Sequence, residues 1–354
     1  MSQKFEVVGL GNALMDALYM VPDDSLLTEL SLNKGEMHMV DDTQWSSVYG
    51  RLDASKVSLQ TGGSCANTIA TLGLMGASVS YCSQVGDDEL GDTYQTQFTD
   101  ACGGHDLKLA PGTPTGKCLS LISTDAERTM LTDLGTAIML DSVEHFRESI
   151  AQAKILYLTG YLMFGDMRNR MFEAISIAKE NNVQVALDVA DPSVIAVLRD
   201  DMYAVIEEHV DIVFLNEKEA QALCGGTPQS AIQELREMCS VVVVKLGSKG
   251  SLAQVGAQEA RADIFKVDAI DTTGAGDSYA AGFLYGYVRE WPLEKTVRLA
   301  SRVAAQAVSQ PGPWCPRGWQ NRPRRTRLMA RRSSCSPRSA APRCPEVAPR
   351  CCPG

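Results

Sequence analysis

The residues best placed to do chemistry lie in D-T-T-G-A-G-D, residues 271–277, where a turn-forming stretch runs into an apolar, small-residue helix pattern that continues to Gly286. Gly274, Ala275 and Gly276 place backbone N–H groups at the start of that helix, where the free donors of the first turn and the helix dipole favour an anion. Phosphate is the expected anion. Asp277 stands among these donors although its charge repels phosphate, and service as a general base is a task that would justify a carboxylate there. The plainer alternative is an exposed acid at a helix N-terminus, which the dipole also favours.

A second glycine pair, Gly62 and Gly63, leads into Ser64, the expected N-cap of a helix from about Cys65 to Leu74 that closes at Gly76. The backbone there and the Asn67 amide can hold sugar hydroxyls, and Asn12 and Asp16, after the first strand, can do so from the opposite side. A carboxylate that accepts both hydroxyls of a vicinal diol rejects substrates lacking them. Asn216, Glu217 and Glu219 follow the strand V-D-I-V-F-L-N, either as an N-capped helix start or as acids that reach a polyphosphate through hydrated Mg²⁺. Lys245 and the loop Gly247–Gly250 end the next strand, as a nucleotide-facing turn or a simple hairpin turn.

These residues need a scaffold that gathers strand ends. From Ala153 onward, near-continuous apolar strands (K-I-L-Y-L-T-G, V-Q-V-A-L-D-V, V-D-I-V-F-L-N, V-V-V-V-K-L-G) alternate with helices around 167–181, near 201–208, from Glu217 and from about Pro228. That pattern predicts an α/β fold with a parallel sheet covered on both faces, which binds ligands beyond the carboxyl ends of its strands. Residues 5–11 read as the first strand, 79–86 as a strand and 87–102 as an acidic-start helix. The hairpin at 116–133 breaks the alternation; with a short strand at 34–40 it is expected to form a small sheet over one end of the main layer.

Composition narrows the function. The chain has 354 residues, 45% apolar and 21% charged, enough for a sizeable core. No N-terminal signal pattern or apolar run long enough to span a bilayer is visible, so the expected location is the cytoplasm, without a membrane partner. Four histidines without ligand spacing argue against zinc, and there is no P-loop, dinucleotide fingerprint or nucleophile elbow. Six cysteines (65, 82, 102, 118, 224, 239) read as buried free thiols. Residues 311–354 differ in kind, with ten Arg, nine Pro, five Cys and one acid. Removing that tail's ten Arg and one Glu from the chain's 33 basic and 43 acidic residues leaves residues 1–310 at a formal −19, which disfavours nucleic acid as a partner. The tail has no apolar periodicity and is expected to be disordered or out-of-frame, leaving 1–310 as the folded domain.

G-G-S-C-A-N-T-I-A-T-L-G-L-M-G-A (62–77) and D-T-T-G-A-G-D-S-Y-A-A-G-F-L-Y-G (271–286), with N-E-K-E-A between them, resemble the two signature regions of the ribokinase-like, or PfkB, family of sugar and nucleoside kinases. G-N-A-L-M-D-A-L, K-G-E-M-H-M-V-D-D and A-E-R-T-M-L-T-D-L-G are similar to stretches of its bacterial adenosine kinase-like members. The resemblance implies a three-layer sandwich with a mostly parallel central sheet and a small β-sheet lid within about 34–41 and 116–133. It implies an ATP-dependent kinase of a primary hydroxyl, on adenosine or alternatively on a free sugar such as ribose or fructose; a non-catalytic nucleoside- or sugar-binding regulator is the alternative of another class. Carried over by position, Asp277 is the base and Gly274, Ala275 and Gly276 the anion hole. Asn12, Asp16, Gly62, Gly63 and Asn67 hold the acceptor, and Asn216, Glu219, Lys245, Gly247 and Gly250 serve ATP and its Mg²⁺, with Glu219 reaching the metal through water. K⁺ dependence and a homodimer through the lid are also implied.

Overall fold

The structure, a computed structural model, describes residues 3–125, 127–310, 312 and 314. In chain order its strands are β1 (Phe5–Leu10), β2 (Leu14–Met20), β3 (Met37–Met39), β4 (Ser58–Gly62), β5 (Val79–Gly86), β6 (Asp106–Ala110), β7 (Gly116–Ile122) and β8 (Arg128–Asp133), then β9 (Ala153–Thr159), β10 (Gln184–Asp188), β11 (Ile212–Asn216), β12 (Val241–Lys245), β13 (Ser251–Val255) and β14 (Gln258–Ala262). Nine of them make one sheet in the order β14-β13-β12-β11-β10-β9-β1-β5-β6. From β12 through β6 every pairing is parallel, and β13 and β14 add antiparallel at one edge.

The apolar strands are explained by burial on both faces. Alternate residues of β1, β9, β11 and β12 (Val8, Leu156, Val213, Val242) join a core with helices such as Met167–Glu180 and Pro192–His209. Their neighbours (Val7, Ile155, Ile212, Val241) join a second core with helices Ser64–Leu74, Glu89–Cys102, Ala275–Tyr287 and Leu293–Val308. The predicted α/β sandwich is therefore the one observed. Both glycine motifs open helices on this second side. Added Cβ atoms would meet Ala300 Cα at 2.7 Å from Gly282 and Thr296 Oγ1 at 2.7 Å from Gly286, so the small residues of the second motif let its helix seat closely on the last one.

The remaining strands form a separate sheet, β3-β8-β7-β2-β4, over its own core of Ala17, Trp45, Leu119, Leu121 and Leu131. The expected pairing of the 34–40 segment with the hairpin is present, as β3 beside β8. The sheet is larger than expected, because β2 and β4, both outside the predicted lid ranges, belong to it. Asp16, expected only to follow the first strand, lies on a strand of this small sheet. The helix expected near 201–208 begins at Pro192, capped by Asp191, whose side chain accepts from Ser193 N at 2.7 Å. Ser64 is not an N-cap; Gly63 holds that position at φ 96° and Ser64 is the first helical residue.

The six cysteines expected to be buried free thiols are free, and Cys65, Cys82, Cys118 and Cys239 are buried, but Cys102 and Cys224 are only partly so. The domain boundary drawn at 310 falls short of packed residues, since Gly312 and Trp314 both touch the body of the molecule. The expectation for the rest of the Arg-rich tail falls outside the described residues. Among the described residues, no helix is long and apolar enough to cross a membrane.

Candidate active site

Parallel strands that all point one way bring Asp188, Asn216 and Lys245 to one edge of the main sheet, as the last residues of β10, β11 and β12. The Ala275–Tyr287 helix starts there. Its N-cap, Gly274, has φ 66°, a left-handed conformation that glycine adopts without steric cost, and this turn aims the first N–H groups of the helix toward the strand ends. Lys245 adds positive charge at the same place, its Nζ 3.3 Å from where a side chain on Gly276 would begin.

Asp277, in the first turn, is held from the other glycine motif. Ser64 Oγ donates to its Oδ1 at 2.8 Å, and Asn67 Nδ2 donates to its Oδ2 at 2.9 Å. Burial pushes the Asp277 carboxyl up to about 6; the Asn67 and Ser64 donors oppose that rise, Asp188 adds to it and Lys245 opposes it. A carboxylate oriented by two donors and poised near neutrality can accept a proton from a weakly acidic hydroxyl. Ser64 escaped the sequence reading because Ser before an apolar helix usually caps it; only the fold brings it to Asp277.

The residues proposed from the sequence to hold an acceptor lie near one another. Gly63 lies so close to the Asn12 carbonyl that any side chain there would strike it, and Gly62 packs equally closely on the Asp16 carboxylate. Burial pushes Asp16 up to about 7 against the pull of Arg128, and the Asp277 and Asp271 charges add to the rise. Asn12 Oδ1 is buried without a hydrogen-bond donor, and an acceptor left so calls for a donor such as a hydroxyl. Arg128, on β8, forms an ion pair with Asp271 at 2.6 Å and so ties the small sheet to the loop ahead of the Ala275–Tyr287 helix.

At the strand ends, Lys245 Nζ pairs with Asp188 Oδ2 at 2.6 Å, both side chains nearly buried. Burial alone would lower the Lys245 pKa, but Asp188 and Glu219 outweigh it and the net shift is upward, so the ammonium stays charged. Asp188 went unassigned in the sequence, although a lone acid ending an apolar strand was its signal. Asn216 and Glu219 form a reciprocal capping box: Asn216 Oδ1 accepts from Glu219 N at 2.9 Å and Glu219 Oε2 accepts from Asn216 N at 2.7 Å. The capping alternative is therefore present in the geometry. Burial pushes Glu219 up to about 7, with Lys245 pulling down and Asp188 pushing up. Gly247 and Gly250 flank the turn between antiparallel β12 and β13, a hairpin whose Lys249 reaches Glu217 at 3.0 Å. Among the described residues no three Asp, Glu, His or Cys side chains are arranged to ligate a metal.

The fold and this convergence of two glycine motifs on one carboxylate define a kinase of the ribokinase-like class. The chain belongs to the pfkB family of carbohydrate kinases, whose profile matches residues 35–316. Kinases of this family use ATP with a divalent metal, and the chain is a sugar or nucleoside kinase, a phosphotransferase acting on an alcohol group. It is similar to the adenosine kinase of Sinorhizobium meliloti, at 32% identity and a TM-score of 0.80 over 88% of this chain and 96% of that one. A probable sugar kinase from Rhizobium etli CFN 42 superposes equally well, with a TM-score of 0.80 at 27% identity over 90% and 97% of the two chains. The 5-dehydro-2-deoxygluconokinase of Lacticaseibacillus casei is 27% identical over 88% of this chain and 91% of its own length.

Proposed function

We propose that this chain transfers the γ-phosphoryl group of ATP to the primary 5′ hydroxyl of a ribonucleoside, with adenosine as the first acceptor. The observation that carries the reading is Asp277, oriented by Ser64 and Asn67 at a helix N-terminus and poised near pH 6. Asp277 takes the proton of the attacking hydroxyl. The N–H groups of the Gly274–Gly276 turn, with the Lys245 charge behind them, receive the charge of the transferring group. Phosphoryl transfer has a loose transition state in most analyses, so such positioning and charge placement supply most of the catalysis. Asp16, Asn12, Gly62, Gly63 and Asn67 hold the ribose hydroxyls, a role supported by the buried acceptor on Asn12 that lacks a donor.

Mg²⁺ supplies neutralising charge on the donor phosphates when bound. Asn216 and Glu219, held to each other at the end of β11, would hold a hydrated ion through water. Gly247 and Gly250 line the nucleotide in this reading. The small sheet acts as a lid that keeps water from the phosphoryl group, and a homodimer forms along its edges, where β3 and β4 lie. The protein works in the cytoplasm, and K⁺ assists nucleotide binding.

Relatives that take sugars, at identities comparable to those of the nucleoside kinases, favour a free sugar as the second reading. Coupled ADP release over adenosine, inosine, guanosine, ribose and fructose, with and without K⁺, decides between them. The expected result is the highest kcat/KM on adenosine. Turnover on ribose or fructose with none on any nucleoside replaces the first reading by the second, and no turnover on any of the five discards both.

A further inference from the structure

The chain that leaves the last helix comes back over the acceptor side of the site. Gly312 N donates to Asp271 Oδ2 at 3.0 Å, and Gln310 Nε2 donates to the Trp314 carbonyl at 2.7 Å. The Trp314 ring meets Phe98 edge to face at 6.3 Å between centroids, and its Nε1 donates to Asn67 Oδ1 at 3.1 Å. The same Asn67, 5% exposed, gives its Nδ2 to Asp277. An indole N–H can only donate, whereas the two ends of a primary amide have nearly the same shape and can exchange places. A donor-only partner on one end therefore reinforces the orientation that an acceptor-only carboxylate favours at the other. With Trp314 in place the oxygen is taken, and the nitrogen is left for Asp277. Without it, the carboxylate alone orients the amide, and the reversed amide can accept from Asp277 once that carboxyl is protonated.

We propose that Trp314 is a positioning residue for phosphoryl transfer: its indole N–H fixes the Asn67 amide so that the nitrogen, not the oxygen, faces Asp277. The inference rests on Asp277 as the base. Nothing in the sequence suggested it, because Trp314 belongs to the compositionally foreign tail.

The charged and titratable groups that also face Asp277 are Asp188 and Lys245 from the strand ends, Asp16 from β2, Cys65 from the Ser64–Leu74 helix, Tyr157 from β9, and Tyr161 just after it. Trp314→Phe keeps the ring against Phe98 and leaves all of these in place while deleting the N–H. In the full-length enzyme this variant is expected to retain its Tm, lose about three- to tenfold in kcat with KM little changed, and move the acid limb of its pH profile upward by about half a unit. Trp314→His, which keeps a ring N–H, is expected to return the limb toward its original place. A readout independent of turnover is the Trp314 indole ¹H–¹⁵N resonance, assigned by its loss in Trp314→Phe, which is expected to shift and exchange faster with solvent in Asn67→Ala. An unmoved acid limb in folded Trp314→Phe, with an indole resonance indifferent to Asn67→Ala, overturns the inference and leaves Asp277 as the base. Full activity of Asp277→Asn overturns the base reading instead, and the indole resonance then decides the Asn67 contact by itself.

Discussion

At the scale of a residue, Asp277 is a carboxylate kept where it is costly to ionise. Its pKa, pushed up to about 6 by burial from an ordinary 3.8, means that charging it weakens the fold. That cost is absent below about pH 4, grows up to about pH 6 and is constant above. Asp277→Asn removes it while keeping a similar shape. Relative to the original chain, the variant should gain stability on the order of 1 kcal/mol between about pH 4 and pH 6, read as a widening difference in Tm. Its kcat should fall by about 10² to 10⁴ with KM nearly unchanged. A variant that loses activity without this pH-dependent gain would mean that Asp277 is not desolvated as described. In the unaltered enzyme, kcat/KM should decline as the pH drops through about 6, because the base must be unprotonated.

At the scale of elements, the site depends on two helix starts that approach each other. Gly63 is the more demanding of the two, since its φ of 96° disfavours a side chain and the Asn12 carbonyl fills the space one would need. Gly63→Ala is expected to destabilise by about 2–4 kcal/mol, from backbone strain and overpacking together. Denaturant unfolding measures it, and a loss below about 0.5 kcal/mol would show that the turn relaxes freely. Most elements were legible in the sequence: the apolar runs at β9 to β12 and the two glycine-to-helix junctions carry strong local signals. β2 and β4 were not: β2 (L-M-D-A-L-Y-M) is apolar but for Asp16 and shows no alternation, β4 is short and mixed in polarity, and the two become strands by pairing with each other and, for β2, with β7. Ser64 was misassigned for a related reason: a capping hydroxyl and one that holds a distant carboxylate look alike until the partner is in place.

At the scale of the whole molecule, Asp271 joins three parts of the fold. It accepts from Thr273 N within its own loop at 2.9 Å, from Gly312 N after the last helix, and pairs with Arg128 on the small sheet. Replacing Arg128 with Met leaves the Asp271 charge mostly buried and should cost about 2–3 kcal/mol. It should also loosen the small sheet over the site, seen as ATP hydrolysis without an acceptor rising relative to transfer. Unchanged coupling would separate this ion pair from lid closure. A chain ended after Trp314 should keep the Tm and kcat of the full-length protein, since it retains the Trp314 contact with Asn67 and the sequence beyond it has no apolar periodicity able to pack. Loss of activity on that truncation would make the Arg-rich tail part of the enzyme.

The sequence by itself determined the parallel strands at the heart of the sheet, the two helix starts and the acid between them, because hydrophobic periodicity and glycine-to-helix transitions are local properties of the chain. Only the tertiary structure decided which groups meet that acid. Ser64 and Asn67 reach Asp277 across more than two hundred residues, Lys245 faces it from a strand end beside Asp188, and Trp314 arrives from beyond the last helix. Hydrogen bonds between such distant positions depend on how the layers stack, and no local pattern encodes them.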